Sequence, residues 1–353
     1  MTTQDSTGWD AILTSLSVFK QIGLLLNYSL LACSVALLAV TIGSCLTMAS
    51  KKPQRLSLFI LVASALLLVS GCILVIWLNF KIYANSALVL PETLVNHLNR
   101  WLANWNISSI YEIPLYDPAS PPRYMLPFWL ENEKYVFWFA SFALMALLAW
   151  RKAESMGLKI LLQILLIIQL LILCVFVKPF HDPLPRFFHE VSPFFLETAS
   201  PGNKFGLFMR MYPRMIFYYN APYMWFHPPL LFLAYSALTI FFACAVVMFF
   251  SRSRRNEKIG YSYAKFAYLL LTVGMLAGYP WALKAWGPNW WWDPKIAASL
   301  MMWVVFTTYL HARLYIFKKG MWHFVAMLGI MSFIAMVFTF VASFIFPGQH
   351  SVH

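Results

Sequence analysis

Residues 227–258 read HPPLLFLAYSALTIFFACAVVMFFSRSRRNEK. From 227 to 250 there is no Asp, Glu, Lys or Arg, and then Arg252, Arg254, Arg255 and Lys258 follow within a few positions. An uninterrupted apolar run of about twenty residues is the length a helix needs to cross a bilayer. A basic cluster at its end marks the side on which that end stays. The same pattern recurs outward in both directions. Apolar runs lie near 22–48, 56–81, 133–150, 158–178, 263–283, 296–317 and 322–346 as well, which gives eight predicted spans and an all-α, polytopic membrane helix bundle. The composition agrees, since 61% hydrophobic and 11% charged residues over 353 positions exclude an ordinary water-soluble surface.

Four short connections carry the positive charge: Lys51, Lys52 and Arg55; Arg151, Lys152 and Lys159; Arg252 to Lys258; and Arg313, Lys318 and Lys319. They alternate along the chain, so all four fall on one side, which the positive-inside rule makes the cytoplasm. Both termini and the segments 84–132, 179–226 and 284–295 are then expected outside. The net charge of +13 is thereby accounted for by topology, and nucleic acid is discarded as a partner. Asp5 and Asp10 stand where a signal peptide would be basic, so none is expected. The cysteines, Cys33, Cys45, Cys72, Cys174 and Cys244, are isolated in apolar runs and read as packing residues without a disulfide framework. With no carboxylate in the interior of the spans and no repeated halves, an ion-coupled transporter is disfavoured. Two outer stretches read as helices lying in the membrane interface: 9–20, with Trp9, Ile12, Leu13, Leu16 and Phe19 on one face, and 94–105, with Leu94, Leu98, Trp101, Leu102 and Trp105. The chain divides into an N-terminal region, 1–219, and a core, 220–353.

The unusual segment is Trp286-Gly-Pro-Asn-Trp290-Trp291-Trp292-Asp293-Pro294-Lys295, between the sixth and seventh spans. An interfacial aromatic belt accounts for one or two tryptophans. It does not account for four in a loop stiffened by Gly287, Pro288 and Pro294, which prevent a regular helix through it. A rigid indole surface suits a large flat apolar ligand, with Lys284 and Lys295 near enough in sequence to meet its carboxylates. A porphyrin fits that description, and haem iron asks for imidazole. His227 opens the fifth span and His350 follows the last one, both at the outer level of the loop. A single interfacial histidine is ordinarily a snorkelling, hydrogen-bonded side chain; three elements on one side give haem binding even weight. His311 lies about 22 Å into the seventh helix at about 1.5 Å per residue. It is a functional candidate by its depth, with a neutral histidine bonded to a neighbouring helix as the rival. His181 and His189 read as structural, and His97, His323 and His353 carry weaker signals.

On these residues the sequence resembles the cytochrome c assembly family, whose mark is a tryptophan-rich outer loop, and within it the CcsA (ResC) branch of the system II cytochrome c synthase. The matching pieces are His227-Pro-Pro-Leu-Leu-Phe-Leu-Ala-Tyr235, the loop from Trp286 to Lys295, Tyr309-Leu-His-Ala-Arg313 and Pro347-Gly-Gln-His-Ser351, all within 220–353. Ile296 stands where the family commonly has glutamate, and Tyr212-Pro213 with Tyr218-Tyr219-Asn220 reads closer to the CcmF branch. The resemblance implies a haem-handling subunit of a bacterial inner membrane. In it His227 and His350 are axial ligands of an outer haem b, held against Trp286, Trp290, Trp291, Trp292, Asp293 and Lys295. His311 corresponds to an intramembrane histidine at an inner haem position. The implied partners are a CcsB (ResB)-like membrane protein and an apocytochrome c with a Cys-x-x-Cys-His segment, to which haem is joined by thioether bonds. Two other readings remain open: a haem exporter or chaperone without ligation activity, and a subunit that keeps haem b for electron transfer.

Overall fold

A computed structural model of the chain describes residues 4–46, 52–104, 114–196 and 201–348. Among the described residues the secondary structure is helical throughout, without strands. The α-helices are α1 (Gln4–Leu46), α2 (Lys52–Asn85), α3 (Glu92–Asn104), α4 (Lys134–Lys152), α5 (Met156–Leu171), α6 (Pro185–Leu196), α7 (Pro201–Arg214), α8 (His227–Phe250), α9 (Arg254–Trp286), α10 (Pro294–Arg313) and α11 (Met321–Ile345). The chain is a helical membrane bundle. It forms two compact units, each assembled from three segments: 1–27, 70–134 and 177–225 in one, and 28–69, 135–176 and 226–353 in the other.

The second unit contains the packed bundle. Its central helix is α8, against which α5, α9 and α11 pack. Ala237, Ile240, Phe241, Ala243 and Cys244 of α8 are fully buried. Small residues let the neighbours approach. A Cβ at Gly260 of α9 would stand 2.8 Å from Cys244 Cβ, and one at Gly329 of α11 would stand 2.7 Å from the Phe241 ring. Between lipid-compatible helices there is little hydrophobic driving force, so such close contact supplies the cohesion. Trp138 of α4 stacks on Phe340 of α11 at 5.1 Å. A buried polar bond joins α1 to α5, from the Thr41 hydroxyl to Gln163 Oε1 at 2.7 Å.

At one end of this unit the predicted basic connections come together. Arg255 Nε donates to Lys152 O at 3.0 Å, and its guanidinium pairs with Glu154. Asn256 Nδ2 donates to Ser155 Oγ at 3.1 Å. Lys159 Nζ donates to Gln54 Oε1 at 3.3 Å. Arg313 Nε meets the buried Glu257 carboxylate at 2.8 Å, its guanidinium lying 3.9 Å over the Tyr261 ring. All four connections therefore share one face, as the charge alternation requires.

The first unit gathers segments expected outside. Trp9 of α1 stacks on Phe195 of α6 at 4.8 Å. Tyr124, Phe187 and Tyr219 form an edge-to-face cluster with centroids 5.0 to 5.7 Å apart. Tyr116 OH donates to Leu88 O and accepts from Leu90 N–H, at 2.8 and 3.0 Å. The N-terminus of α6 is capped by two carboxylates from the segment before α4. Glu133 Oε1 accepts from Leu184 N–H, and Glu131 accepts from Arg186 and Phe187 N–H, at 2.9 to 3.0 Å.

Two sequence expectations change in detail, and a third holds. Among the described residues six helices, rather than eight, are both long and apolar enough to cross a membrane by length and composition. The other two predicted spans exist as α4 and α10, 19 and 20 residues long, but terminal Arg151, Lys152 and Arg313 and internal Trp and Tyr residues lower their hydropathy. Residues 9–20 are not a separate interfacial helix. They continue into the first span as one 43-residue helix, about 65 Å at 1.5 Å per residue, roughly twice the hydrocarbon thickness. Protein covers part of their apolar stripe: Trp9, Ile12 and Phe19 are buried, Leu16 is half-buried and Leu13 is exposed. Residues 94–105 do form a distinct amphipathic helix, α3, which buries Val95, Leu98 and Leu102 while Trp101 is exposed; Trp105 lies outside the described residues.

Candidate functional site

His227 is the first residue of α8, followed by Pro228 and Pro229 at positions where a helix has no use for their missing N–H. Its ring lies on the backbone of α9, with Nδ1 2.6 Å from Gly274 O. A carbonyl oxygen only accepts, so Nδ1 carries the proton and the coordinating lone pair belongs to Nε2. Space for the ring comes from Gly278, where an added Cβ would stand 2.5 Å from His227 Cε1 and 2.6 Å from Nδ1. At Gly274 a Cβ would meet Leu231 Cδ2 at 2.8 Å. Gly274 and Gly278 form a small-x-x-x-small step, the pattern by which membrane helices bring their backbones together. That pattern is legible in the sequence and escaped the sequence reading.

One residue past Gly278, the Tyr279 ring meets Trp290 edge-on at 5.4 Å. Successive residues of α9 therefore touch His227 and the tryptophan loop, which sets both at one level of the bundle. The loop itself follows from local chemistry. Gly287 closes α9 with φ 72 and ψ −164, a conformation open to glycine. Residues Gly287–Trp292 then wind as a short 3₁₀ helix, closed by Asp293 N–H on Trp290 O at 3.2 Å. Asp293 is buried and caps α10, its Oδ1 accepting from Lys295 and Ile296 N–H at 3.0 and 3.3 Å.

Within this loop Trp292 is 82% exposed and Trp290 is half-buried. Lys295 sits half-buried in the first turn of α10. Of Trp286 and Trp291 only the backbone is described, and His350 lies outside the described residues. The chain leading to His350 is nonetheless brought to the loop: a Cβ at Gly348 would stand 2.6 Å from Asp293 Oδ2 and 2.7 Å from Pro294 Cδ. His227, the loop and the approach to His350 thus converge through α9 and Asp293.

His311 does not join them. It occupies the last turn of α10, exposed, with Nδ1 2.9 Å from Thr307 O of its own helix. The bond to a neighbouring helix that the rival reading required gives way to this bond one turn back, two residues from the Arg313–Glu257 pair. His97 and His323 make edge contacts with Phe205 and Phe249. No group of three or more His, Cys, Asp or Glu suited to a metal ion occurs among the described residues; porphyrin iron asks the protein for only one or two axial ligands.

The family described as cytochrome C assembly protein matches residues 131–350, more than half of the chain. Curated relatives called cytochrome c biogenesis protein CcsA include that of Synechococcus sp. (strain WH7803), 46% identical over 65 residues, which is 18% of this chain and 20% of the relative. That of Cyanophora paradoxa is 44% identical over 62 residues, 18% of this chain and 19% of the relative. That of Guillardia theta is 47% identical over 58 residues, 16% of this chain and 19% of the relative. These matches span about a fifth of each relative's length. No solved structure matches the chain.

Proposed function

Since the chain belongs to the cytochrome c assembly protein family, we propose that it acts in cytochrome c maturation by holding haem at the outer membrane face for attachment to an apocytochrome. His227 and His350 are the axial ligands in this reading, and the loop from Trp286 to Lys295 is the surface on which the porphyrin rests. The observation that carries it is the seating of His227 on α9 beside the Trp290 contact, with Gly348 packed against Asp293 and Pro294.

The residues fit the cargo. A histidine with Nδ1–H bound to a carbonyl offers Nε2 to iron. An exposed indole, Trp292, offers a flat apolar face. Haem b is the substrate. In each thioether bond a cysteine S–H of the Cys-x-x-Cys-His segment adds across a vinyl group: sulfur bonds the carbon next to the ring, the proton goes to the terminal carbon, and nothing is oxidised or reduced overall. The chain's share is to orient the porphyrin edge and tune the iron through its ligands. The apocytochrome's own histidine displaces one axial ligand as product leaves. A CcsB-like membrane protein completes the synthase, and exposed His311 belongs to an inner haem position shared with that partner. The membrane is the bacterial inner membrane, with the site facing the periplasm or cell exterior.

The test is the reduced-minus-oxidised absorption spectrum of the protein purified with its partner, for wild type, His227→Ala and His350→Ala. A b-type signal that weakens or shifts in both variants, alongside loss of cytochrome c maturation in cells, is the expected result. Full-rate maturation by either variant at normal abundance, without added imidazole, overturns these ligand roles.

A further inference from the structure

The Gly274–Gly278 step has a chemical consequence beyond close packing. Two features of α9 meet the His227 ring at once: a carbonyl 2.6 Å from Nδ1, and a missing side chain where any Cβ would stand 2.5 Å from Cε1. The other close approach between α8 and α9, Gly260 against Cys244, involves no functional side chain. We propose that Gly274 and Gly278 form a seat for His227, the Gly274 carbonyl fixing the Nδ1–H tautomer and the bare Gly278 backbone fixing the ring's position, so that Nε2 is the atom presented to haem iron.

This inference rests on His227 being a haem ligand and names the residues that position it. A short bond from Nδ1–H to a carbonyl also makes the imidazole more basic, which favours ferric over ferrous iron and lowers the midpoint potential. Gly278 and Gly274 are positioning residues, since they act on the iron through His227.

The discriminating probe is ligand rescue in His227→Gly, which leaves the seat intact and removes its occupant. Imidazole and 1-methylimidazole both donate a ring nitrogen to iron. Only imidazole retains an N–H for the Gly274 carbonyl, and the methyl group of its analogue would point at that carbonyl, which lies 2.6 Å from His227 Nδ1. Imidazole is expected to restore the low-spin haem spectrum at roughly ten- to a hundredfold lower concentration than 1-methylimidazole, the range over which ligand-supporting hydrogen bonds act. Equal rescue by the two overturns the seat and leaves His227 as a ligand. A wild-type spectrum in His227→Gly without either additive overturns the ligand assignment itself, so the two failures are distinguishable. A second comparison needs no additive. Gly278→Ala is expected to shift the haem midpoint potential or spectrum, and Gly260→Ala, which crowds the same pair of helices away from His227, is expected to leave both unchanged. Identical behaviour of the two variants overturns the proposal.

Discussion

Glu133 is an acid in a place where burial makes its charge costly. It is 1% exposed, Oε1 accepts from Leu184 N–H at 2.9 Å, and Oε2 has no hydrogen-bond partner among the described residues. Burial pushes its carboxyl up to about 8, opposed by the hydrogen bonds and aided by repulsion from Glu131. Between its ordinary value of 4.5 and about 8 the folded protein keeps a proton that the unfolded chain releases, so the stability it contributes is full below that window and falls as pH rises through it. Glu133→Gln keeps the shape and the acceptor without the titration. Its melting temperature in detergent is therefore expected to gain little over wild type near pH 4.5 and progressively more up to pH 8. A gain that does not grow with pH would mean that Glu133 is ionised in the fold. In sequence this carboxylate stands at the first position of the 133–150 run, where nothing local marks it as buried. Its burial depends on Leu184, far along the chain, and no local pattern reports such a partner.

Helices were legible where their length and apolarity left no choice, and less so where a stripe had two possible covers. Residues 9–20 show the difficulty. A helical apolar stripe states which face is covered but not whether lipid or protein covers it, and Phe195 and Phe180, the aromatic partners of Trp9 and Phe19, lie far downstream. The α4 and α10 spans were visible by length, though their ends are too polar to meet a lipid-based criterion. At the candidate site, His227, the tryptophan loop and their shared level were readable from order and spacing. Gly274 and Gly278 were not singled out, because a glycine's role lies in what approaches it. The start of α10 carries a prediction of its own. Asp293→Ala removes both cap bonds and is expected to cost about 1 kcal/mol, with Asn a near-equivalent cap. Hydrogen exchange at residues 295–298 is expected to accelerate in Asp293→Ala and stay near wild type in Asp293→Asn. Equal acceleration in both would assign the effect to the lost charge rather than to the cap.

For the whole molecule, the decisive property is sidedness, because the proposed haem attachment requires the site and the apocytochrome to meet on one face of the membrane. In the second unit α8 begins at His227 and ends beside the basic connections, a span of 24 residues, or about 36 Å at 1.5 Å per residue. His227 and the Arg255–Glu154 and Arg313–Glu257 pairs thus lie at opposite ends of a helix long enough to cross a bilayer. In the proposed orientation the positive-inside rule keeps the Lys and Arg end in the cytoplasm and turns the site outward. In a background without the five native cysteines, Ser251→Cys is expected to react with a membrane-impermeant maleimide only after cells are permeabilised. Ser120→Cys, in the exposed turn closed by Ser120 N–H on Asp117 O, is expected to react in intact cells. The reverse pattern would turn the tryptophan loop toward the cytoplasm. Presentation to an exported apocytochrome would then fail on geometry alone, whatever His227 binds.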